Sequence, residues 1–218
     1  MHADLVRKAT SDIAKGPKKF FGPFAFGITL LGWKTTNMNP LNSQVDLRYP
    51  IGKYESKESL TPAERDIAIS QIEATPEGLR NAVAGLSHEQ FDTQYRPGGW
   101  TVRQVVHHLP DSHLNSYVRM KLALTENEPT IKPYDEALWA KLQDSSDTPV
   151  EVSLTLLEAL HHRWDVLMRS LQPEDFARRL RHPERGPMTL DDLVGLYAWH
   201  GRHHVAHITA LRAREGWK

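Results

Sequence analysis

Apolar residues recur with helical spacing along most of the chain after residue 60, most clearly in two long segments at about 149–171 and 189–214. Other segments open with Thr or Ser followed three residues later by Glu or Gln, a pattern typical of helix starts: TPAE at 61–64, SHEQ at 87–90 and TVRQ at 101–104. Strand-like alternation is scarce, and RHPERGP at 181–187 is interpreted as a loop or turn. The pattern predicts an all-α protein, a bundle of four main helices with short additional helices.

The last helical segment carries four histidines in eight positions, at His200, His203, His204 and His207. On a helical wheel His200, His204 and His207 share the apolar, core-facing stripe, with His203 at its edge. A single imidazole there would be interpreted as a core residue bonded to a neighbour. Three on one stripe favour a metal site instead, because two imidazoles four residues apart can bring their nitrogens to one ion.

A second stripe runs along residues 101–119 and is polar but almost uncharged. It contains Thr101, Gln104, His108, Ser112, Asn115 and Arg119. A solvated helix face would usually carry Lys and Glu, so this stripe indicates the wall of a wet cavity, with His108 at its centre. Periodicity does not exclude His107 or His113 as the functional histidine, although His113 falls on the apolar stripe. His161 and His162 are interpreted as structural or exposed.

The charge balance and the cysteine count narrow the class of protein. Lys plus Arg and Asp plus Glu number 27 each, so no net positive field favours nucleic acid or an anionic membrane as a partner. The absence of cysteine excludes disulfides, zinc ribbons and a cysteine nucleophile, and it suits a reducing cytoplasm. The apolar stretch FFGPFAFGITLLGW at 20–33 is too short to span a bilayer, and no cleavage pattern follows it. Residues 1–44 are therefore predicted to lie outside the fold, with Met38 as an alternative start.

Three long motifs resemble the YfiT family of metal-dependent hydrolases, within the DinB-like superfamily of four-helix bundles. They are VDLRYPIGKY at 45–54, GGWTVRQVVHHLPDSHLNSYVRMKLALTE at 98–126 and LYAWHGRHHVAHI at 196–208. The resemblance covers 45–218 as one metal-binding bundle and finds no counterpart for 1–44. It implies one divalent metal per chain, described as zinc, held by His108, His200 and His204, with His207 next to these ligands and not bound to the metal. Nickel is the alternative ion, because it binds nitrogen ligands at least as well as many competitors do. The resemblance also implies a cytoplasmic homodimer.

Three histidine ligands would leave a coordination position open, and what fills it decides the chemistry. Water would make the protein a hydrolase of a small molecule, although no HExxH motif supplies a general base and Asp111 is the nearest carboxylate in sequence. A low-molecular-weight thiol, such as bacillithiol, would make it an S-transferase, which suits a chain without cysteine. A metal-binding protein without turnover is the third alternative, and the polar stripe argues against it. Hydrolysis is the predicted function.

Further side chains have candidate roles around the predicted site. Ser112 and Asn115 lie on the polar stripe, and Arg119 could bind a carboxylate of either ligand or form a surface salt bridge. Trp100 and Trp199 adjoin the two histidine segments and could wall the pocket or belong to the core. The segment IKPYDEALW at 131–139 is interpreted as a loop that enters a short helix.

Overall fold

The computed structural model describes residues 46–218, so the predicted extension at 1–44 and the alternative start at Met38 lie outside the described residues. The described part is mostly helical, as predicted. The helices are α1 (Pro62–Glu73), α2 (Thr75–Val83), α3 (His88–Phe91), α4 (Val102–Thr125), α5 (Glu136–Trp139), α6 (Asp144–Asp147), α7 (Val150–Ser170) and α8 (Leu190–Glu215). A 3-10 turn at Pro173–Ala177 leads to two short strands, β1 (Arg179–His182) and β2 (Gly186–Thr189).

The predicted helix starts are confirmed at the level of individual hydrogen bonds. The amide of Glu64 donates to the Thr61 hydroxyl, and the Glu64 carboxylate accepts from the Thr61 amide at 2.9 Å. The same reciprocal capping occurs at 87–90 before α3 and at 101–104 before α4. These side chains satisfy amides that have no partner inside the helix, so they fix where each helix begins.

Four helical columns form the bundle, as the sequence predicted: α4, α7, α8 and a broken column made of α1 and α2. The break falls at Ala74, between two segments that both pack on α7 and α8. Pro76 lies in the first turn of α2 and has no amide hydrogen, so it cannot continue the hydrogen bonding of α1. Within residues 46–218, no helix is both long enough and apolar enough to cross a bilayer.

Two apolar clusters fill the bundle on either side of its histidine-rich middle. The larger one contains Trp164, which is fully buried, with Met120, Leu193 and Val194 among its members. The other contains Leu79, Leu109, Leu157 and Ile208, all fully buried. The histidines therefore lie between two dry regions of core, where an unpaired polar group is costly.

The interpretation of 181–187 as a loop or turn was partly wrong. The strands β1 and β2 pair in antiparallel register from Arg179 opposite Thr189 to His182 opposite Gly186, so both ends of the segment belong to a hairpin. Four-residue strands are too short to show a clear alternation of apolar and polar residues, which is why the pattern did not reveal them. The second strand of the hairpin ends at Thr189, whose hydroxyl caps the start of α8.

Two consecutive aspartates in the first turn of α8 attach the preceding parts of the chain to this helix. Arg65 of α1 donates to both oxygens of Asp191, at 2.7 and 2.8 Å, and both side chains are largely buried. Asp192 accepts from the hydroxyls of Tyr54 and Ser56, at 2.7 and 2.8 Å. These bonds fix α1 and the segment before it against the start of α8.

Close contact between α8 and α2 depends on a glycine next to one of the candidate ligands. A Cβ atom at Gly201 would overlap the hydroxyl oxygen of Thr75 and lie 2.7 Å from its methyl carbon. No side chain fits at such a distance, so glycine allows the two helices to approach each other beside His200.

Candidate metal centre

The three predicted metal ligands come together in the middle of the bundle. His108 lies in α4, and His200 and His204 lie one turn apart in α8. One ring nitrogen from each lies within 4.8 Å of those of the other two. The Nε2 atoms of His108 and His200 are 3.3 Å apart. Two packed helices are thus enough to assemble the cluster.

Burial keeps these imidazoles neutral. It lowers the pKa of His108 to about 3, and it lowers the pKa values of His200 and His204 well below the ordinary value, with neighbouring histidines adding to the effect for the latter two. A neutral imidazole has one nitrogen with a free lone pair, which is the form that binds a metal ion.

The spacing of one ligand pair and the donor chemistry fit a divalent transition-metal ion. Nitrogens bound to tetrahedral zinc at about 2.0–2.1 Å are roughly 3.3–3.4 Å apart, and the His108–His200 separation of 3.3 Å matches this. Three imidazoles without thiolate or carboxylate suit zinc or nickel better than magnesium or calcium. Three protein ligands also leave a position open for a further ligand.

A cavity of about 100 Å³ lies on the His200 side of the cluster. Ser112 and Arg119 of the polar stripe line it, together with Tyr197 and Trp199. The hydroxyl oxygens of Ser112 and Tyr197 are 3.4 Å apart. The polar stripe is therefore a cavity wall over part of its length, next to the candidate metal ligands.

A second cavity, of about 390 Å³, lies on the His204 side, and His207 and Trp100 line it. The centroid of the Trp100 ring is 4.6 Å from the centroid of the His108 ring and 6.2 Å from that of the His204 ring. His207 is not in the three-histidine cluster: its Nε2 donates to the Arg48 carbonyl at 3.2 Å. Both tryptophans that adjoin the histidine segments thus wall cavities.

Two residues that the sequence offered as candidates for the site, Asn115 and Asp111, do not line the cavity on the His200 side. Asn115 donates its side-chain amide to the carbonyl of Asp111 in its own helix, at 2.9 Å. Asp111 lines neither cavity, and burial, followed by the charge of Asp144, raises the pKa of its carboxyl to about 6.

The sequence interpretation missed the part that two other buried histidines play at this site. Nε2 of His113 lies 3.1 Å from Nδ1 of His200, and Nδ1 of His113 lies 2.8 Å from Nε2 of His161. The available signal was the place of His113 on the apolar stripe of α4, since a histidine directed into a core must find a polar partner there. His107 is buried as well, but it pairs with Ser153, at 2.7 Å, and not with the cluster.

Known proteins resemble this chain in sequence, and one solved structure resembles it in fold as well. Residues 71–208 match the DinB superfamily. Proteins of Bacillus cereus (strain 03BB102) and Bacillus thuringiensis subsp. konkukian, each named "Putative metal-dependent hydrolase", are 56% identical over 172 residues, covering 79% of this chain and 99% of theirs. The structure of Bacillus subtilis YfiT, described as a "probable metal-dependent hydrolase with an unusual four-helix bundle topology", matches with a TM-score of 0.78 and 50% identity, over 80% of this chain and all of that one. The chain therefore belongs to the DinB superfamily and resembles YfiT within it.

Proposed function

We propose that the protein is a metal-dependent hydrolase of a small molecule, with one divalent ion held by His108, His200 and His204. The observation that supports this most directly is the convergence of three neutral imidazoles beside a cavity, with two Nε2 atoms at the spacing of zinc ligands. The relatives named as metal-dependent hydrolases support the same reaction class. Zinc is the proposed ion, with nickel as the alternative.

When bound, such an ion lowers the pKa of a coordinated water enough to supply a nucleophile near neutral pH. The protein's own groups in the cavity would bind and orient the substrate. The hydroxyls of Ser112 and Tyr197 can donate to a substrate oxygen. Arg119 donates to the Lys132 carbonyl and forms no salt bridge among residues 46–218, although Glu136 lines the same cavity, so its guanidinium can bind an anionic substrate group.

Elemental analysis of protein without a histidine tag tests the metal site. We expect about one zinc or nickel per wild-type chain and loss of that metal in His204→Ala. His88→Ala is the matched control, because this histidine is exposed and belongs to α3, outside the cluster. Wild-type protein that is folded but retains no metal after incubation with zinc and with nickel would contradict the proposal.

A panel of ester and amide substrates, assayed with the metal-loaded protein, tests the reaction. Hydrolysis should disappear with a chelator, return with zinc and be absent in His204→Ala. For substrates with a carboxylate, Arg119→Gln should raise KM more than it lowers kcat, because the side chain would bind and not react. A reaction that proceeds only when a low-molecular-weight thiol is added, and that transfers the thiol, would support the S-transferase alternative instead.

A homodimer and a cytoplasmic location complete the proposal. The dimer is supported by apolar side chains exposed on the neighbouring helices α4 and α7. They are Leu114, Val118, Val152, Leu156 and Val166. Light scattering should give twice the monomer mass for the wild type and the monomer mass for Val118→Lys, because a charge would oppose burial of this surface. The same mass for both proteins would remove this support. The cytoplasmic location stays a prediction from the sequence.

A further inference from the structure

Three histidines form a continuous line of hydrogen bonds from the metal cluster to the main chain of α1. Nδ1 of His200 is 3.1 Å from Nε2 of His113, whose Nδ1 is 2.8 Å from Nε2 of His161. Nδ1 of His161 in turn is 2.6 Å from the carbonyl oxygen of Ile72. The line passes through α8, α4 and α7 and ends in α1, so it touches every column of the bundle.

The carbonyl of Ile72 lacks its usual helical partner because of where α1 ends. In a continuous helix it would accept from the amide four residues later, but that residue is Pro76, which has no amide hydrogen. The freed carbonyl can only accept a hydrogen bond. Nδ1 of His161 must therefore carry a hydrogen and donate it.

This fixed end determines the position of the hydrogen on every ring in the line. A neutral imidazole has one N–H, so His161 with its hydrogen on Nδ1 must accept at Nε2, and His113 must donate to it from Nδ1. His113 then accepts at its own Nε2, and His200 donates from Nδ1. His200 is left without a hydrogen on Nε2, the atom that faces His108.

The rings are neutral because charging them would be costly. His113 and His161 are 0% and 2% exposed, and no carboxylate is among the hydrogen-bond partners of the line. Burial lowers the pKa of His161 to about 4, although its bond to the Ile72 carbonyl favours the charged form. The one-hydrogen rule for neutral rings therefore holds along the line.

We propose that His113 and His161 are positioning residues that hold His200 in the tautomer with a free Nε2 lone pair directed at the metal. The part of this inference that concerns the metal rests on the proposed function, whereas the tautomer itself does not. Supporting hydrogen bonds of this kind fix the orientation of a metal-binding imidazole and raise its basicity. His204 differs, since its Nδ1 is buried and has no partner among residues 46–218.

Substitutions at His161 separate hydrogen-bond direction from packing. Gln can donate its amide to the Ile72 carbonyl and accept from His113 with its oxygen, so His161→Gln should keep the direction of the line. His161→Leu fills much of the space but removes both functions. His162→Leu is the control, because His162 is the next residue of the same helix and is exposed.

Long-range nitrogen–proton NMR of the full-length, nitrogen-15-labelled protein shows which ring nitrogen carries the hydrogen. Spectra are recorded with zinc bound and after the zinc has been removed by a chelator. In both states of the wild type, His200, His113 and His161 should carry their hydrogens on Nδ1. The zinc-free His161→Gln and His162→Leu proteins should give the same result at His200, and zinc-free His161→Leu should show a fraction with hydrogen on Nε2.

Zinc affinity, measured by competition with a chromophoric chelator, provides the second readout. His161→Leu should bind zinc about tenfold or more weakly, within the roughly 10–100-fold range found when such supporting partners are lost. His161→Gln and His162→Leu should bind as the wild type does. Thermal unfolding of each variant establishes that the comparison is made between folded proteins.

Hydrogen on Nε2 of His113 or His200 in the zinc-free wild type would overturn the inference. An unchanged His200 tautomer together with unchanged zinc affinity in folded His161→Leu would also overturn it, because His161 would then act only by packing. The wild type could also show the predicted tautomers but bind no zinc, or bind zinc without hydrolysing any substrate. Either result would refute the proposed function and leave the assignment of hydrogens intact.

Discussion

Acidification should destabilise the folded protein in part through His161, which is buried as a neutral imidazole. In the folded state its pKa is lowered to about 4, whereas the pKa of an imidazole in the unfolded chain is about 6.5. The unfolded state therefore binds more protons between these two values. The contribution of His161 to stability is complete above about pH 6.5 and is lost as the pH falls towards about 4.

The size of this loss follows from the pKa difference. One pKa unit corresponds to about 1.4 kcal/mol, so a difference of about 2.5 units is worth roughly 3 kcal/mol when the pH is well below 4. At pH 5 about 2 kcal/mol of this is already lost. A change of this size is a large fraction of the total stability of an ordinary domain.

Urea unfolding of the metal-free wild type and of His161→Gln, at pH 8 and at pH 5, measures the effect. Gln keeps the hydrogen bonds but does not titrate, so the free energy of unfolding of the wild type relative to the variant should fall by about 2 kcal/mol between the two pH values. His162→Gln, on the exposed side of α7, should follow the wild type. The same pH dependence for the wild type and His161→Gln would refute the reasoning.

Three further substitutions test how the bundle supports the site. Ile69→Ala should lower the free energy of unfolding by about 2–5 kcal/mol, because Ile69 is buried. Ile67→Ala, on the exposed side of α1, should lower it by less than about 0.5 kcal/mol, and equal losses would contradict the burial of Ile69. Asp191→Ala should cost about 3–5 kcal/mol in urea unfolding, because it leaves Arg65 unpaired and largely buried; a loss below about 1 kcal/mol would mean that solvent compensates for the lost pair. Gly201→Ala should lower both the thermal midpoint and the zinc affinity, because the added methyl would force α8 away from α2, and unchanged values would show that the close contact can relax.

Much of the helical framework could be predicted because its signals are local. Thr61 and Thr101 cap helices through residues only three positions away, and the wheel places His200 and His204 on one face without any knowledge of their neighbours. The choice of His108 over His107 and His113 depended on the family resemblance, because periodicity alone left all three open. The convergence of these ligands depends on how α4 packs on α8, which is a property of the whole fold.

The line of histidines could not be predicted in the same way. His113 and His161 are 48 residues apart in sequence, and neither forms a pair at helical spacing with another histidine. Their contact exists only because α4 and α7 pack side by side. A wheel shows which face a residue occupies but not which side chain of another helix meets it there.

The carbonyl of Ile72 has a consequence for protein engineering. Transferring His108, His200 and His204 to another helical bundle would copy the atoms that are proposed to touch the metal, but it would leave the hydrogen on His200 free to occupy either nitrogen. In this chain that choice is made at the end of α1, by the Ile72 carbonyl, whose usual amide partner four residues later is replaced by a proline. A faithful transplant would therefore need the helix break and two further histidines as well as the ligands, and a design judged only by the geometry of its ligands would omit them.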